Sequence, residues 1–400
     1  MPLSLSEKAL CVKPSSTLAI TAKAKAMRAE GLDVVSFAAG EPNFNTPENI
    51  CEAAIQAIRD GFTRYTPASG IIELREAVSA KFKMYNNLDY TAGQIVISNG
   101  GKHSLSNIFG VLLNPGDEVI IPVPYWLTYP ELVRLSGGVP VYVHGKKEIG
   151  YKVTASSISD AVSSKTKAVI INTPNNPTGM VYTKEELAEI AKVAIEKNFY
   201  IVSDEMYEQL TYGGHAHVSI ASLGDEIYKR TITCSGLSKS YAMTGWRIGY
   251  TGSSVEIARL MGGIQSHQTS NPCSVAQKAA LEALTGDQST VVKMKEAFAE
   301  RKKYIYERVT AMPYVEALEP AGAFYVLLDF TKVLQKSHQG QKIESANQVA
   351  QILIEDFQVA VIPCEDFGFP HFIRLSYAIS MKAIDKGIGR IESFLQKIEQ

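Results

Sequence analysis

Lys239 stands in the run Gly236-Leu237-Ser238-Lys239-Ser240-Tyr241-Ala242-Met243-Thr244-Gly245-Trp246-Arg247-Ile248-Gly249, directly behind the short apolar run Thr231–Ser235. Small neighbours let a planar ligand approach its amine, and a lysine at the inner end of a strand can lose solvation. Its pKa then falls, and the amine becomes usable as nucleophile and base. Most lysines are solvated surface residues, so the case for Lys239 depends on what gathers around it. Three other apolar runs end in polar clusters. Ile95–Ser98 is followed by Asn99-Gly100-Gly101-Lys102 and a helix expected to open near Ser104, where free backbone N–H groups and a positive helix end could cradle a phosphate. Ala168–Asn172 leads into Thr173-Pro174-Asn175-Asn176-Pro177-Thr178-Gly179, a stiff loop bearing amide side chains. Tyr200–Ser203 leads to Asp204 and then Tyr207, a carboxylate with a phenol one helical turn beyond. Taken singly, the glycine pair reads first as a tight turn, and the aspartate first as a helix cap or surface ion pair. Their recurrence at successive strand ends favours one shared site.

The elements that would bring them together follow from periodicity. Short β-branched runs, Val119–Ile121 among them, alternate with stretches of helical period, the pattern of an α/β fold with a mainly parallel central sheet. In such sheets ligands collect outside the carboxyl ends of the strands. Thr46-Pro47 followed by Ile50, Ala54, Ala57, Ile58 and Gly61 reads as N-cap, first-turn proline, apolar stripe and glycine C-cap, and Thr183-Lys184-Glu185-Glu186 reads as a capping box. A long helical stretch from about Ser274 to Met312 ends the alternation. Beyond it, expected strands Ala323–Asp329, Val359–Pro363 and Ile373–Tyr377 mix with two helices. The expected organisation is a large α/β domain over 46–290, and a smaller α+β domain built from 1–45 and 291–400, with a cleft between them.

Composition narrows the function classes. Near-equal counts of 40 basic and 41 acidic residues give no basic face for nucleic acid, and 46% apolar residues give ordinary globular content. No apolar run reaches membrane-spanning length, and no signal-type stretch opens the chain. Five scattered cysteines without a C-x-x-C pair suggest neither a zinc cage nor a disulfide framework, which fits a cytoplasmic protein. The pair His215-x-His217 lies in a Gly-rich polar turn without an adjacent Cys or carboxylate cluster, and is expected at the surface with no metal.

Gly236 to Gly249 matches G-x-S-K-x-x-A-x-x-G-x-R-x-G, and so resembles the cofactor-attachment motif of class I aminotransferases, enzymes dependent on pyridoxal 5′-phosphate (PLP). Ala39-Gly40-Glu41-Pro42, Tyr65-Thr66-Pro67, Asn175–Gly179, Asp204-Glu205 and Arg374-Leu375-Ser376-Tyr377 follow in the family's order, so the resemblance spans essentially the whole chain. It is nearest to the bacterial and plastid aspartate and prephenate aminotransferases. The resemblance implies fold type I and a set of roles. Lys239 would carry PLP, yield it to the substrate amine and then shuttle a proton. Asp204 would keep the pyridine nitrogen protonated, Asn176 and Tyr207 would bond the ring's phenolate oxygen, and Trp126 would stack on the ring. Gly101, Lys102, Ser238 and Arg247 would hold the phosphate. Tyr65 would reach it from a neighbouring subunit, which implies a homodimer with shared active sites. Arg374, with Gly40 nearby, would clamp the substrate α-carboxylate. The arginine that many relatives use for a distal carboxylate has no counterpart in Gln265-Ser266-His267-Gln268, and Lys102 with Ser15 and Thr17 would take that task. The implied substrates are amino acids and 2-oxo acids, aspartate with 2-oxoglutarate first and prephenate possible.

Rival readings differ in their signatures. A nicotinamide dehydrogenase would need a G-x-G-x-x-G opening a βαβ unit, and none is present. A non-catalytic DNA-binding regulator would need a basic face. A PLP-dependent C–S lyase, or an aminotransferase for aromatic or neutral amino acids, would keep Lys239, Asp204 and Arg374, and stays open.

Overall fold

The computed structural model describes residues 3–399. Its central sheet contains β1 (Ile95–Ser98), β2 (Glu118–Val123), β3 (Val139–His144), β4 (Thr166–Asn172), β5 (Tyr200–Asp204), β6 (Thr231–Gly236) and β7 (Gly249–Gly252). The spatial order is β1-β7-β6-β5-β4-β2-β3. β2 to β6 pair in parallel, and β7 runs antiparallel between β6 and β1. The five expected strands all form within two residues of their expected bounds. β3 and β7 were not expected, for different reasons. β3 is an edge strand whose Val139 and Tyr142 face solvent and whose Pro140 an edge tolerates. β7 reads Gly-Tyr-Thr-Gly, with little β-propensity.

Helices cover both faces because the parallel strands are apolar on both. Val119, Ile121, Ile170, Val202 and Ile232 pack against Leu105, Ile108, Phe109 and Met261 on one side. Ile120, Val169, Ile171 and Ile201, their neighbours along the strands, pack against Ile158, Leu187, Ile190 and Ala191 on the other. This is the period-two alternation of a sheet buried twice over.

Three local expectations are corrected. The helix expected after Thr46-Pro47 is Glu48–Arg59 with Pro47 at the N-cap position, so Thr46 does not cap it. The Thr46 hydroxyl instead donates to the Ala242 carbonyl (2.8 Å) and accepts from Trp246 Nε1 (2.9 Å), tying this corner to the lysine-bearing segment. The stretch from Ser274 is two helices, Ser274–Thr285 and Ser289–Thr310. Between them Gln288 Nε2 donates to the carbonyls of Ala283 and Gly286, satisfying helix-end acceptors that would otherwise be orphaned. Val359–Pro363 splits into Val359–Ala360, parallel to Val35–Ser36, and Ile362–Pro363, antiparallel to Phe372–Ser376.

A second, antiparallel sheet contains β8 (Glu316–Ala317), β9 (Tyr325–Asp329), β10 (Ile362–Pro363) and β11 (Phe372–Ser376) in the order β10-β11-β9-β8. Helices Ala346–Asp356 and Met381–Gln396 pack near it. Phe37 donates its backbone N–H to Ala360 and accepts from Ser376, so the segment before Thr46 is stitched to the C-terminal part.

The histidine pair is also corrected. His215 is exposed, but the His217 side chain is only 7% exposed and its Nε2 lies 2.9 Å from Glu205 Oε2. It belongs to a buried polar cluster. Glu205 also accepts from Ser203 and Ser219 hydroxyls (2.8 and 2.6 Å) and from Asn86 Nδ2 (2.9 Å). Glu208 pairs with the Lys81 ammonium and accepts from Ser235 (2.8 Å) and Asn86 (2.6 Å). The surface expectation failed because the carboxylate partner, Glu205, stands twelve residues away in sequence, behind the strand end carrying Asp204. Burial pushes the Glu208 carboxyl up, but the Lys81 and His217 charges and the hydrogen bonds outweigh it and hold it below its ordinary range. Removing the cation would strand a buried carboxylate. Lys81→Met is therefore expected to lower unfolding stability by about 3–5 kcal/mol in urea denaturation, with Lys81→Met/Glu208→Gln recovering part of the loss.

Candidate active site

The carboxyl ends of β4, β5 and β6 open onto a cleft of about 260 Å³. Its lining includes Ser15, Thr17, Gly40, Gly101, Lys102, Trp126, Asn176, Asp204, Tyr207, Ser238, Lys239, Arg247 and Arg374, so residues expected from scattered segments meet in one place. Tyr65 does not line it. It is 89% exposed.

Lys239 follows β6, and its Nζ donates to the Gly40 carbonyl at 2.6 Å. Burial lowers its pKa to about 8, with Arg247 and Arg374 pushing the same way and Glu41 and Asp204 opposing them. Asp204 closes β5 and is 5% exposed. Its Oδ2 accepts from the Tyr129 hydroxyl at 2.6 Å and its Oδ1 from the Met206 amide at 3.1 Å. Burial raises its pKa while those two hydrogen bonds oppose the rise. Asn172, at the end of β4, donates Nδ2 to the Asp204 carbonyl (3.1 Å) and accepts from the Asn176 amide (2.9 Å). One side chain therefore sets both the aspartate and the amide loop.

Arg374 comes from β11 and is 2% exposed. Its guanidinium donates to Asn176 Oδ1 (2.9 Å) and the Ala38 carbonyl (3.1 Å), and lies 4.3 Å over the Tyr325 ring. Its Nε has no hydrogen-bond partner among the described residues. Tyr325 in turn shares a 2.8 Å hydrogen bond with the Tyr207 hydroxyl. Tyr325 and Tyr129 were not singled out in the sequence. Tyr325 sits in an expected core strand, and Tyr129 reads as part of the apolar stripe of helix Thr128–Leu135; its spacing of one helical turn from Trp126 was the available signal.

Helix Gly101–Leu112 starts three residues earlier than expected, putting its free N–H groups against the cleft. Gly100 has φ +85, and a Cβ there would lie 2.3 Å from an Arg247 guanidinium nitrogen. A Cβ on Gly249 would lie 2.4 Å from the Gly101 nitrogen, so the last glycine of the lysine motif exists to let β7 pass the helix start. Arg247 itself has φ +58, an unfavourable conformation for a non-glycine residue that persists where the surroundings over-determine it. The result is a helix N-terminus facing an arginine, with Ser238 and Lys102 beside them. Four cationic side chains and one carboxylate line the cleft.

That donor set fits a phosphorylated pyridine aldehyde: a helix-end cradle that a Cβ would fill, a carboxylate sunk behind the floor, and a lysine of lowered pKa between them. The chain belongs to the aminotransferase class I and II family, whose model matches residues 32–391. It is 48% identical to the aspartate aminotransferase of Bacillus sp. (strain YM-2), with 98% of this chain and 99% of that protein aligned. It is 44% identical to the aspartate/prephenate aminotransferase of Cereibacter sphaeroides, with 98% of each aligned. The aspartate aminotransferase of Thermus thermophilus, solved with maleate, superposes with a TM-score of 0.93 at 40% identity, covering 98% of this chain and all of that one. The protein is an aminotransferase of the PLP-dependent class. Among the described residues no helix is long and apolar enough to cross a membrane.

A lysine near pKa 8 is half neutral at that pH and mostly charged two units below. In the cofactor-free enzyme, acylation of Lys239 by a small anhydride is expected to rise with pH through a midpoint near 8, as followed by mass spectrometry, rather than near 10.4 as for a solvated lysine.

Proposed function

We propose that the protein transfers the amino group of aspartate to 2-oxoglutarate, using PLP held on Lys239, and that it also accepts prephenate. The reading is carried by the convergence of Lys239, Asp204 and Arg374 in one cleft. Bound PLP supplies a carbonyl carbon that accepts amino groups and a protonated ring that accepts electrons. Asp204 holds a proton on the ring nitrogen, the task for which a buried, hydrogen-bonded carboxylate is suited. Gly101, Lys102, Ser238 and Arg247 bind the phosphate, the first two through N–H groups at the helix start. Trp126 would stack on the ring, and Asn176 and Tyr207 would donate to its phenolate oxygen. Arg374 takes the α-carboxylate with its planar fork, near the Gly40 backbone, and so orients the Cα–H bond toward Lys239. Freed when the substrate amine takes over its bond to the cofactor, Lys239 Nζ would, as a neutral amine, remove that proton and return it at the cofactor's C4′. A pKa near 8 keeps an appreciable neutral fraction at physiological pH.

Lys102 supports an acidic substrate: its backbone N–H is the part assigned to the phosphate, so its ammonium is left for a second carboxylate beyond the one Arg374 takes. Support for this task comes from Lys102 Nζ, 5.3 Å over the Trp126 ring, and from the buried Thr17 hydroxyl, which has no hydrogen-bond partner among the described residues. Ser15 lies beside them, although its hydroxyl also caps helix Ser16–Ala29 by accepting from Leu18 N.

We also propose a homodimer in which Tyr65 reaches the partner's phosphate site. The support is an exposed aromatic in the Tyr65-Thr66-Pro67 segment. The division into 46–290 and 1–45 plus 291–400 is proposed on the stitching of Phe37 to Ala360 and Ser376. Cytoplasmic residence is proposed because all five cysteines are free.

A panel assay scoring glutamate formed from 2-oxoglutarate tests the function. Aspartate is expected to lead, and pyruvate release from cystathionine without amino transfer would establish a lyase instead. Lys102→Ala is expected to lower kcat/KM for aspartate by about tenfold to a hundredfold, the worth of a charged hydrogen bond, with phenylalanine changed only a few-fold. Equal losses would remove Lys102 from specificity.

A further inference from the structure

The carboxylate in the cleft floor has a partner that no part of the motif contains. Tyr129 is 2% exposed, and its hydroxyl donates to Asp204 Oδ2 at 2.6 Å. That is the short range of an O–H bond to an ionised oxygen. The hydroxyl makes no other hydrogen bond among the described residues. Its ring is held edge-on to Trp126, centroids 5.5 Å apart and planes at 90°, within one helical turn. The other oxygen of Asp204 is occupied by the Met206 amide. A carboxylate offers about four acceptor positions, so these two bonds fix its plane and leave it able to receive a third donor from the cleft.

We propose that Tyr129 is a positioning residue: by donating to Asp204 Oδ2 it holds that carboxylate ionised and aimed at the ring nitrogen of the cofactor. The inference rests on the reading of Asp204 given above. The groups facing Asp204 are Tyr129 from helix Thr128–Leu135, Cys234 from β6, Lys239 beyond it, and Glu205 and Tyr207 along its own segment. Lys239 stabilises its negative charge from the cleft side, Glu205 and burial work against it, and Tyr129 supplies the strongest of the opposing hydrogen bonds. The Tyr129 phenol is pushed well above its ordinary range by burial and then by Asp204, so it stays protonated and keeps the hydrogen it donates. The Cys234 thiol is likewise raised by burial and Asp204 and stays protonated. Without the phenol, the proton shared between the ring nitrogen and Asp204 shifts toward the carboxylate, and the ring becomes a poorer electron acceptor.

Tyr129→Phe keeps the ring and deletes only the donor. The test loads wild type, Tyr129→Phe and Asp204→Ala with PLP labelled with ¹⁵N in the ring and reads the nitrogen resonance across pH, alongside kcat and the PLP dissociation constant. The expected result is a Tyr129→Phe resonance displaced toward neutral pyridine, in the same direction as Asp204→Ala, with kcat lowered by about tenfold. Adding Tyr129→Phe to Asp204→Ala is expected to cost nothing further in kcat, because the phenol acts through the carboxylate. A resonance that moves in Asp204→Ala but not in Tyr129→Phe overturns the proposal and leaves the Asp204 reading standing. A resonance unmoved in Asp204→Ala overturns that reading itself. Should Tyr129→Phe fail to fold, 3-fluorotyrosine at position 129, a stronger donor, is expected to move the resonance the opposite way, and no movement overturns the proposal.

Discussion

Everything in this protein's cleft is arranged around a lysine amine that has lost its water and a carboxylate buried on the other side of the same space. Lys239 gives its one strong hydrogen bond to the Gly40 carbonyl, and its pKa falls to about 8. Asp204 has the opposite problem, since burial favours its neutral form, and two donors resist that. Neither state is cheap to maintain in isolation. Each depends on strands that end at the right place and on glycines that let backbone crowd in behind them.

The sheet supplies that placement. β4, β5 and β6 are adjacent and parallel, so their carboxyl ends bring Asn172, Asp204 and the Lys239 segment side by side. Antiparallel β7 passes next to β6 and forces Gly249 against the start of helix Gly101–Leu112, which joins the two ends of the anion cradle. Arg374 arrives from the second sheet, and its bond to Asn176 links that sheet to the β4 loop across the cleft. The buried cluster of Lys81, Asn86, Glu205, Glu208 and His217 underpins the segment just after Asp204 from behind. An aminotransferase needs an acid, a base and clamps for carboxylate and phosphate, the roles proposed above for the residues that these elements bring together.

Much of this was readable in the residues. Strands buried on both faces are short apolar runs, so β1, β2, β4, β5 and β6 announce themselves, and the Gly236–Gly249 segment crowds small residues around one lysine. Where local pattern is weak the reading stops: β7 has two glycines in four residues, and β3 is an edge strand carrying a proline. Contacts made at long range leave no local trace. His217 looked like a surface histidine because its carboxylate lies behind a strand. Tyr129 was not singled out: its ring packs as core does, and only its hydroxyl reaches Asp204. Thr46 resembled a helix cap in every local respect, yet its hydroxyl is used by Ala242 and Trp246, nearly two hundred residues away.

The central claim is that one amine, and no other, bonds the cofactor. Borohydride reduction of the PLP-loaded enzyme, followed by proteolysis and mass spectrometry, reads that bond directly. The phosphopyridoxyl mass is predicted on the peptide containing Lys239 and nowhere else. Its appearance on Lys102 or another lysine, or on no peptide at all, would contradict the account.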